Sequence, residues 1–169
     1  MTSRDPELQR LIDESAIRKL LDSYPRALDR QDHELHASLY HPDAIDDHGF
    51  YNGPATGYVA WIKAAAEAGR HWTHHNGTQL IDIDGEVART ETYCLALCRI
   101  PATATQGERE ILLRCRYVDR SEKRQGVWKI AHRRVVYSPC QILSVVEEFP
   151  MAPECIREGM AGLDAIYSR

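Results

Sequence analysis

Apolar residues recur at Leu8, Leu11, Ile12, Ile17, Leu20, Leu21, Tyr24 and Leu28, a spacing that lays one apolar stripe along a helix over residues 6–30. Asp5-Pro6-Glu7 opens that helix well: Asp caps it, Pro suits its first position, and Glu faces the positive end of the dipole. Pro25 falls inside the stripe and has no N–H to bond the Leu21 carbonyl, which predicts a kink or a break. Asp32 can cap a second short helix running to about Tyr40 and ending before His41-Pro42. Residues 43–53 read as a short strand and turn, and residues 55–68 as a third helix ending at Gly69.

From His71 the period changes to that of strands. Asp84-Gly85 and Gln125-Gly126 mark hairpin turns, and Pro101 to Gly107 marks a longer loop. Four strands are expected, at about 71–83, 86–100, 108–122 and 127–137. They are long beside the usual five or six residues, and both faces mix polar with apolar side chains, which predicts a strongly bent sheet wrapped around something. Residues 138–169 read as a tail with a helix from Glu154 to Ile166. Helices first and an antiparallel meander after is the order of an α+β fold.

Composition narrows the function. The chain has 169 residues, 43% of them apolar, enough for one domain to bury one core without disulfides or metal. Its 21 basic and 25 acidic residues are spread along the sequence, so no stretch offers the basic face that nucleic acid or anionic lipid requires. The first twenty residues contain no apolar signal-peptide core and no window reaches membrane-spanning length; a cytoplasmic protein is expected. Five cysteines without a CxxC pair suit reduced thiols packed as small hydrophobes. Cys94 and Cys98, on one strand, would stand about 13 Å apart at about 3.3 Å per residue, too far to bridge.

Three places carry candidate chemistry: Tyr24 to Asp29, Trp72-Thr73-His74-His75, and Arg133-Arg134. His74 and His75 must point to opposite faces of a strand, so at most one can look into a given pocket. Taken singly, each of these side chains is more often a solvated or structural one. His33-Glu34-Leu35-His36 is one residue short of the zincin motif. His71, His74 and His75 lack the single-face spacing of a ligand set. There is no Gly-rich phosphate loop, no GxSxG and no Cys-His pair, which leaves histidine in the role of proton carrier near neutral pH.

Three segments, AIRKLLDSYPRALDRQDHELHASLYHPDAIDDHG, WTHHNGTQLIDIDGEVARTETY and RYVDRSEKRQGVWKIAHRRV, lie in the order and at the spacing of the SnoaL-like branch of the NTF2-like superfamily, which the chain resembles from Ala16 to about Tyr137. That branch includes scytalone dehydratase, bile acid 7α-dehydratase and hexachlorocyclohexane dehydrochlorinase. The resemblance implies an α+β cone, a strongly curved antiparallel or mixed sheet closed by N-terminal helices around one pocket, with residues 1–137 as the domain and 138–169 as a tail covering the pocket or a neighbouring subunit. It implies an Asp-His pair at Asp29 and His75, with Tyr24 and Arg133 as supporting groups. Where some members place a second polar partner for the histidine, this sequence has only Leu97, Cys98, Arg99 and Ile100.

The implied activity is a cofactor-independent lyase, most simply a dehydratase, acting on a small hydrophobic, aromatic or polycyclic substrate. His75 would take a proton from carbon, Asp29 would hold its tautomer, and Tyr24 or Arg133 would assist the departing oxygen or halide. A double-bond isomerase could use the same base. The rival from another class is a non-catalytic cone: a ligand-binding module, or a structural subunit like the β chain of ring-hydroxylating dioxygenases. Tyr24 and Asp29, five apart, are separated by about 140° on a helix, so both reach one pocket only if Pro25 bends the chain. A homo-oligomer is expected, a trimer by resemblance.

Overall fold

The computed structural model describes residues 5–159 and 163–167. Helix α1 spans Pro6–Asp29, with the Asp5 side chain accepting from the Glu7 N–H. Helix α2 spans His33–Ser38, and its Asp32 cap accepts from the Leu35 N–H at 2.9 Å. Strand β1, Tyr40–Asp47, and strand β2, Asn52–Pro54, form a hairpin. Helix α3, Ala55–Glu67, ends before Gly69, whose φ of +86° is the left-handed conformation that glycine adopts at no steric cost. The long strands follow: β3, His71–Asp84; β4, Val87–Ile100; β5, Arg109–Arg124; and β6, Val127–Tyr137.

The strands form one seven-stranded curved mixed sheet in the order β2-β1-β6-β5-β4-β3, with strand β7, Gln141–Ser144, pairing β5. All the pairings are antiparallel except that of β1 with β6. Registers shift inside β1, between Asn76 and Gln79 of β3, and between Arg120 and Ser121 of β5; an extra residue at such a point bends a strand and increases its twist. The sheet therefore curls without closing, and α1, packed on β3 and β6, covers its concave side. Asp13 anchors that helix by accepting from the Trp128 indole at 2.9 Å and from Lys123 at 2.7 Å. From Ala88 to Cys98 the concave face of β4 carries small side chains, Ala88, Thr90, Thr92, Cys94, Ala96 and Cys98, all buried, and small residues there leave the curl room for an internal space.

Three expectations need correcting. Of the kink or break expected at Pro25, the break does not occur: helix α1 runs through Pro25, and the Leu21 carbonyl that Pro25 cannot serve accepts from the Asn76 side chain of β3 at 3.2 Å. Strand β1 begins at Tyr40, earlier than expected, since the parallel pairing with β6 takes in Tyr40 opposite Ile130. The tail forms no α-helix among its described residues. Gln141–Ser144 instead extend the sheet as β7 beside Arg109–Leu112 at the start of β5, and Ala165–Tyr167 form a 3-10 turn; residues 160–162 of the expected helix lie outside the described residues. Near that turn, Asp164 lies 3.3 Å from Arg30 at the end of α1. Cys94, Cys98 and Cys115 are buried and free, whereas Cys140 and Cys155 are exposed. No helix among the described residues is long and apolar enough to cross a membrane.

Candidate active site

The curl encloses a cavity of about 320 Å³, at the small end of ligand pockets. Every long element contributes to its wall. Tyr24 and Leu28 come from α1, Tyr58 and Ile62 from α3, and small or aliphatic side chains such as Ala96, Leu113 and Val135 from the sheet. Phe50 and Trp61, 5.2 Å apart between ring centroids and both partly exposed, belong to the same wall, as does Arg70, whose guanidinium lies 5.9 Å from the Trp61 ring. The wall is aromatic and aliphatic with few polar groups, a surface suited to a ring-bearing molecule.

His74 is one of those polar groups. Its Nδ1 donates to Asp29 Oδ1 at 2.5 Å, and its backbone N–H donates to Asp29 Oδ2 at 2.9 Å. A carboxylate only accepts, so the ring proton is fixed on Nδ1. Nε2, left without a hydrogen-bond partner among the described residues, is the nitrogen free to accept. The His74 side chain is 5% exposed and lines the cavity.

This corrects the expected pair: Asp29 is hydrogen-bonded to His74, and His75 is exposed on the convex face, in a separate hollow with Tyr93 and Arg116. Alternation along β3 forces the exchange, since Trp72 and His74 share the inner face. Tyr24 and Asp29 both reach the site from an unbroken helix, but differently. Tyr24 projects into the cavity wall, while Asp29, at the last turn of α1, grips β3 from beside it.

Tyr24 is fully buried and its hydroxyl has no hydrogen-bond partner among the described residues. Burial pushes its pKa up, opposed by the Arg133 charge, so it stays a neutral donor. Arg133 lies behind the wall. It forms a two-bonded pair with Asp119 at 2.9 and 2.7 Å, and its guanidinium is packed 3.9 Å from the Tyr24 ring centroid and 4.3 Å from that of Tyr117. It is 1% exposed and not part of the cavity lining; its contact with the site runs through Tyr24 and Tyr117.

Two polar features escaped the sequence reading. His36, the second histidine of the zincin-like segment, is fully buried against the rings of Tyr24, Tyr40 and Tyr58 with both ring nitrogens unpartnered. Burial, helped by the positive charge of Arg133, lowers its pKa to about 3. The other is a second carboxylate–histidine pair, Asp46 and His48, with His48 lining the cavity. Its signal was in the sequence: Asp and His at i and i+2 in extended chain share a face, and His48 directly follows β1. Among the described residues, no three His, Cys, Asp or Glu side chains are grouped so as to hold a metal.

A curled mixed sheet covered by helices, with a carboxylate-held imidazole on the wall of an apolar cavity, defines a cone-shaped α+β fold. Residues 9–134 match the SnoaL-like domain, and the chain belongs to that family, within the NTF2-like superfamily. Solved structures agree on the fold. A hexachlorocyclohexane dehydrochlorinase from Novosphingobium barchaimii aligns with TM-score 0.73 at 19% identity, over 86% of this chain and 99% of that one. A putative scytalone dehydratase from Novosphingobium aromaticivorans aligns with TM-score 0.68 at 19% identity, over 83% and 97% of the two chains. A Mycobacterium tuberculosis protein of unknown function aligns with TM-score 0.66 at 22% identity, over 80% and 78%. Among curated proteins, none matches the chain in sequence.

Proposed function

We propose that the protein is a cofactor-independent lyase that eliminates a small group from a hydrophobic, ring-bearing substrate, with His74 as the base and Asp29 as its support. The observation that carries this reading is the 2.5 Å bond between Asp29 and His74 Nδ1, which leaves Nε2 as the free nitrogen of a residue lining an apolar cavity. Neutral His74 takes a proton from carbon, the C–H electron pair forms the new double bond, and Asp29 stabilises the imidazolium. Tyr24 is placed to donate to the substrate, and Arg133 positions Tyr24. The relation to a dehydrochlorinase and a scytalone dehydratase-like protein favours this class of chemistry over a passive binding module.

The ring opening of 5-nitrobenzisoxazole, a small aromatic carbon acid that needs only a base, tests the assignment. His74→Asn keeps a donor towards Asp29 and removes Nε2; it should slow opening by roughly 10²–10⁴-fold, the usual contribution of a general base. Opening at the wild-type rate by the variant would remove His74 from the mechanism. We also propose that the chain acts as a homo-oligomer, a trimer by analogy with the family, with residues 138–169 against the cavity mouth or a neighbouring subunit.

A further inference from the structure

Asp46 and His48 repeat, on another element, the arrangement of Asp29 and His74. Asp46 is fully buried on β1; its Oδ1 is bonded by His48 Nδ1 and its Oδ2 accepts from the Tyr40 hydroxyl at 2.6 Å. The His48 ring is stacked on Tyr58 at 4.0 Å between centroids, its side chain is 7% exposed, and it lines the same cavity as His74. Nδ1 is held by the carboxylate, and Nε2 has no hydrogen-bond partner among the described residues. By contrast, His41 does not line the cavity and has its Nε2 bonded to the Glu122 carbonyl at 2.9 Å. In the sheet order, β6, β5 and β4 separate β1 from β3, so the two imidazoles reach the cavity from opposite flanks of the curl.

We propose that His48 is the second acid–base group of this cavity and protonates an oxygen atom that departs from the substrate. The inference rests on the reading of His74 as the base and sharpens it. A halide leaves as a stable anion and needs no proton, whereas a hydroxyl leaves as water only if a proton reaches it, so a carboxylate-backed donor opposite the base selects an oxygen leaving group. The substrate class is then a ring-bearing carbon acid with a hydroxyl or ether oxygen on the carbon next to the acidic C–H. In the step, the carbon-bound proton moves to His74 Nε2 and the C–H pair becomes the double bond. The C–O bond breaks with its pair on oxygen, and oxygen takes the Nε2 proton of His48, which enters the step as the imidazolium with its Nδ1–H on Asp46. The products are the alkene and water or an alcohol. His74 ends protonated and His48 neutral, and solvent returns both to their starting states.

Two benzisoxazoles separate the donor from the base. Opening breaks the N–O bond and leaves a phenoxide, and the unsubstituted parent leaves a more basic oxygen than 5-nitrobenzisoxazole does. His48→Asn keeps an amide towards Asp46 and removes Nε2. It should slow the parent by about 100-fold, within the range of a general acid, and the nitro compound several-fold at most, while His74→Asn slows both alike. Equal slowing of the two probes by His48→Asn overturns the donor. Wild-type opening no faster than that of His74→Asn withdraws the base, and His48 is then decided by the side-chain 15N spectrum of the wild-type chain. Addition of 2-naphthol should shift the His48 Nε2 resonance, and naphthalene should not. Bound naphthol with His48 Nε2 unshifted, or no binding of either ring, overturns the inference; the spectrum also serves if His48→Asn does not fold.

Discussion

The Asp29 carboxylate accepts two hydrogen bonds from one residue, the ring and the backbone N–H of His74, so it fixes both the position of β3 and the tautomer of the ring. Asp29→Asn should therefore reduce turnover nearly as far as His74→Asn, because an amide cannot stabilise the imidazolium, and the double variant should be scarcely slower than either single one. His75→Ala, on the convex face, is the control that should leave the rate unchanged; benzisoxazole opening measures all four. His36 governs acid stability. Its pKa near 3 in the folded chain lies below the ordinary 6.5, so between those values the unfolded chain binds a proton that the folded chain refuses. Stability is then full above pH about 6.5 and falls as pH drops towards 3, by up to about 1.4 kcal/mol per pH unit. His36→Leu should flatten that slope in urea titrations at pH 4 to 6. His33 and His41, whose pKa values burial also lowers, supply a residual slope of the same sign.

One of the bonds that join helix α1 to strand β3 is an exchange. Pro25 leaves the Leu21 carbonyl without its helical partner, and Asn76 supplies one from the strand. Asn76→Ala should cost about 1–2 kcal/mol, the penalty for a stranded buried carbonyl. In a Pro25→Ala background, where the helix can serve that carbonyl itself, the cost should shrink, and a double-mutant cycle by urea denaturation reads the difference. The same stretch of β3 sets the site. Between Asn76 and Gln79 it spends one residue more than β4 does, so the inward parity of Ile81 and Ile83 changes to that of Trp72 and His74. Counting back in twos from Ile81 arrives at His75, the wrong histidine. The phase of a strand pattern survives only as far as the next bulge, and the one local sign of this bulge is Gly77 inside the strand.

At the scale of the whole molecule, the convex face of the sheet exposes Leu80, Tyr93, Leu95 and Val118, and the tail exposes Ile142, Val146 and Phe149. So much apolar surface, unburied in a single chain, is what an association face offers. Light scattering at micromolar concentration should give an oligomer, and a monodisperse monomer would count against association. Truncation after Tyr137 removes β7 and bares the edge of β5 over Arg109–Leu112. The truncated chain should lose solubility, because an uncovered strand edge templates aggregation; an equally soluble product would make the tail dispensable.

Up to Tyr137, element types and most boundaries followed from the sequence alone, because helix caps, the change of period at His71 and the Gly turns act over a few residues; in the tail they did not, since β7 exists only by pairing with β5. Gln125 and Gly126 take the two positive φ angles, 53° and 81°, that a two-residue hairpin turn requires. The position of Asp29 at the end of the first helix, and the roles open to aspartate and histidine, were legible for the same reason. Which histidine meets Asp29 was decided by a bulge, and the second pair by the curl of the sheet. The removal of Arg133 behind Tyr24 depended on Asp119, fourteen residues away along the chain and opposite it in the β5–β6 register. Contacts of that kind exist only once the strands have paired, so they belong to the tertiary structure and not to any stretch of the sequence that contributes to them.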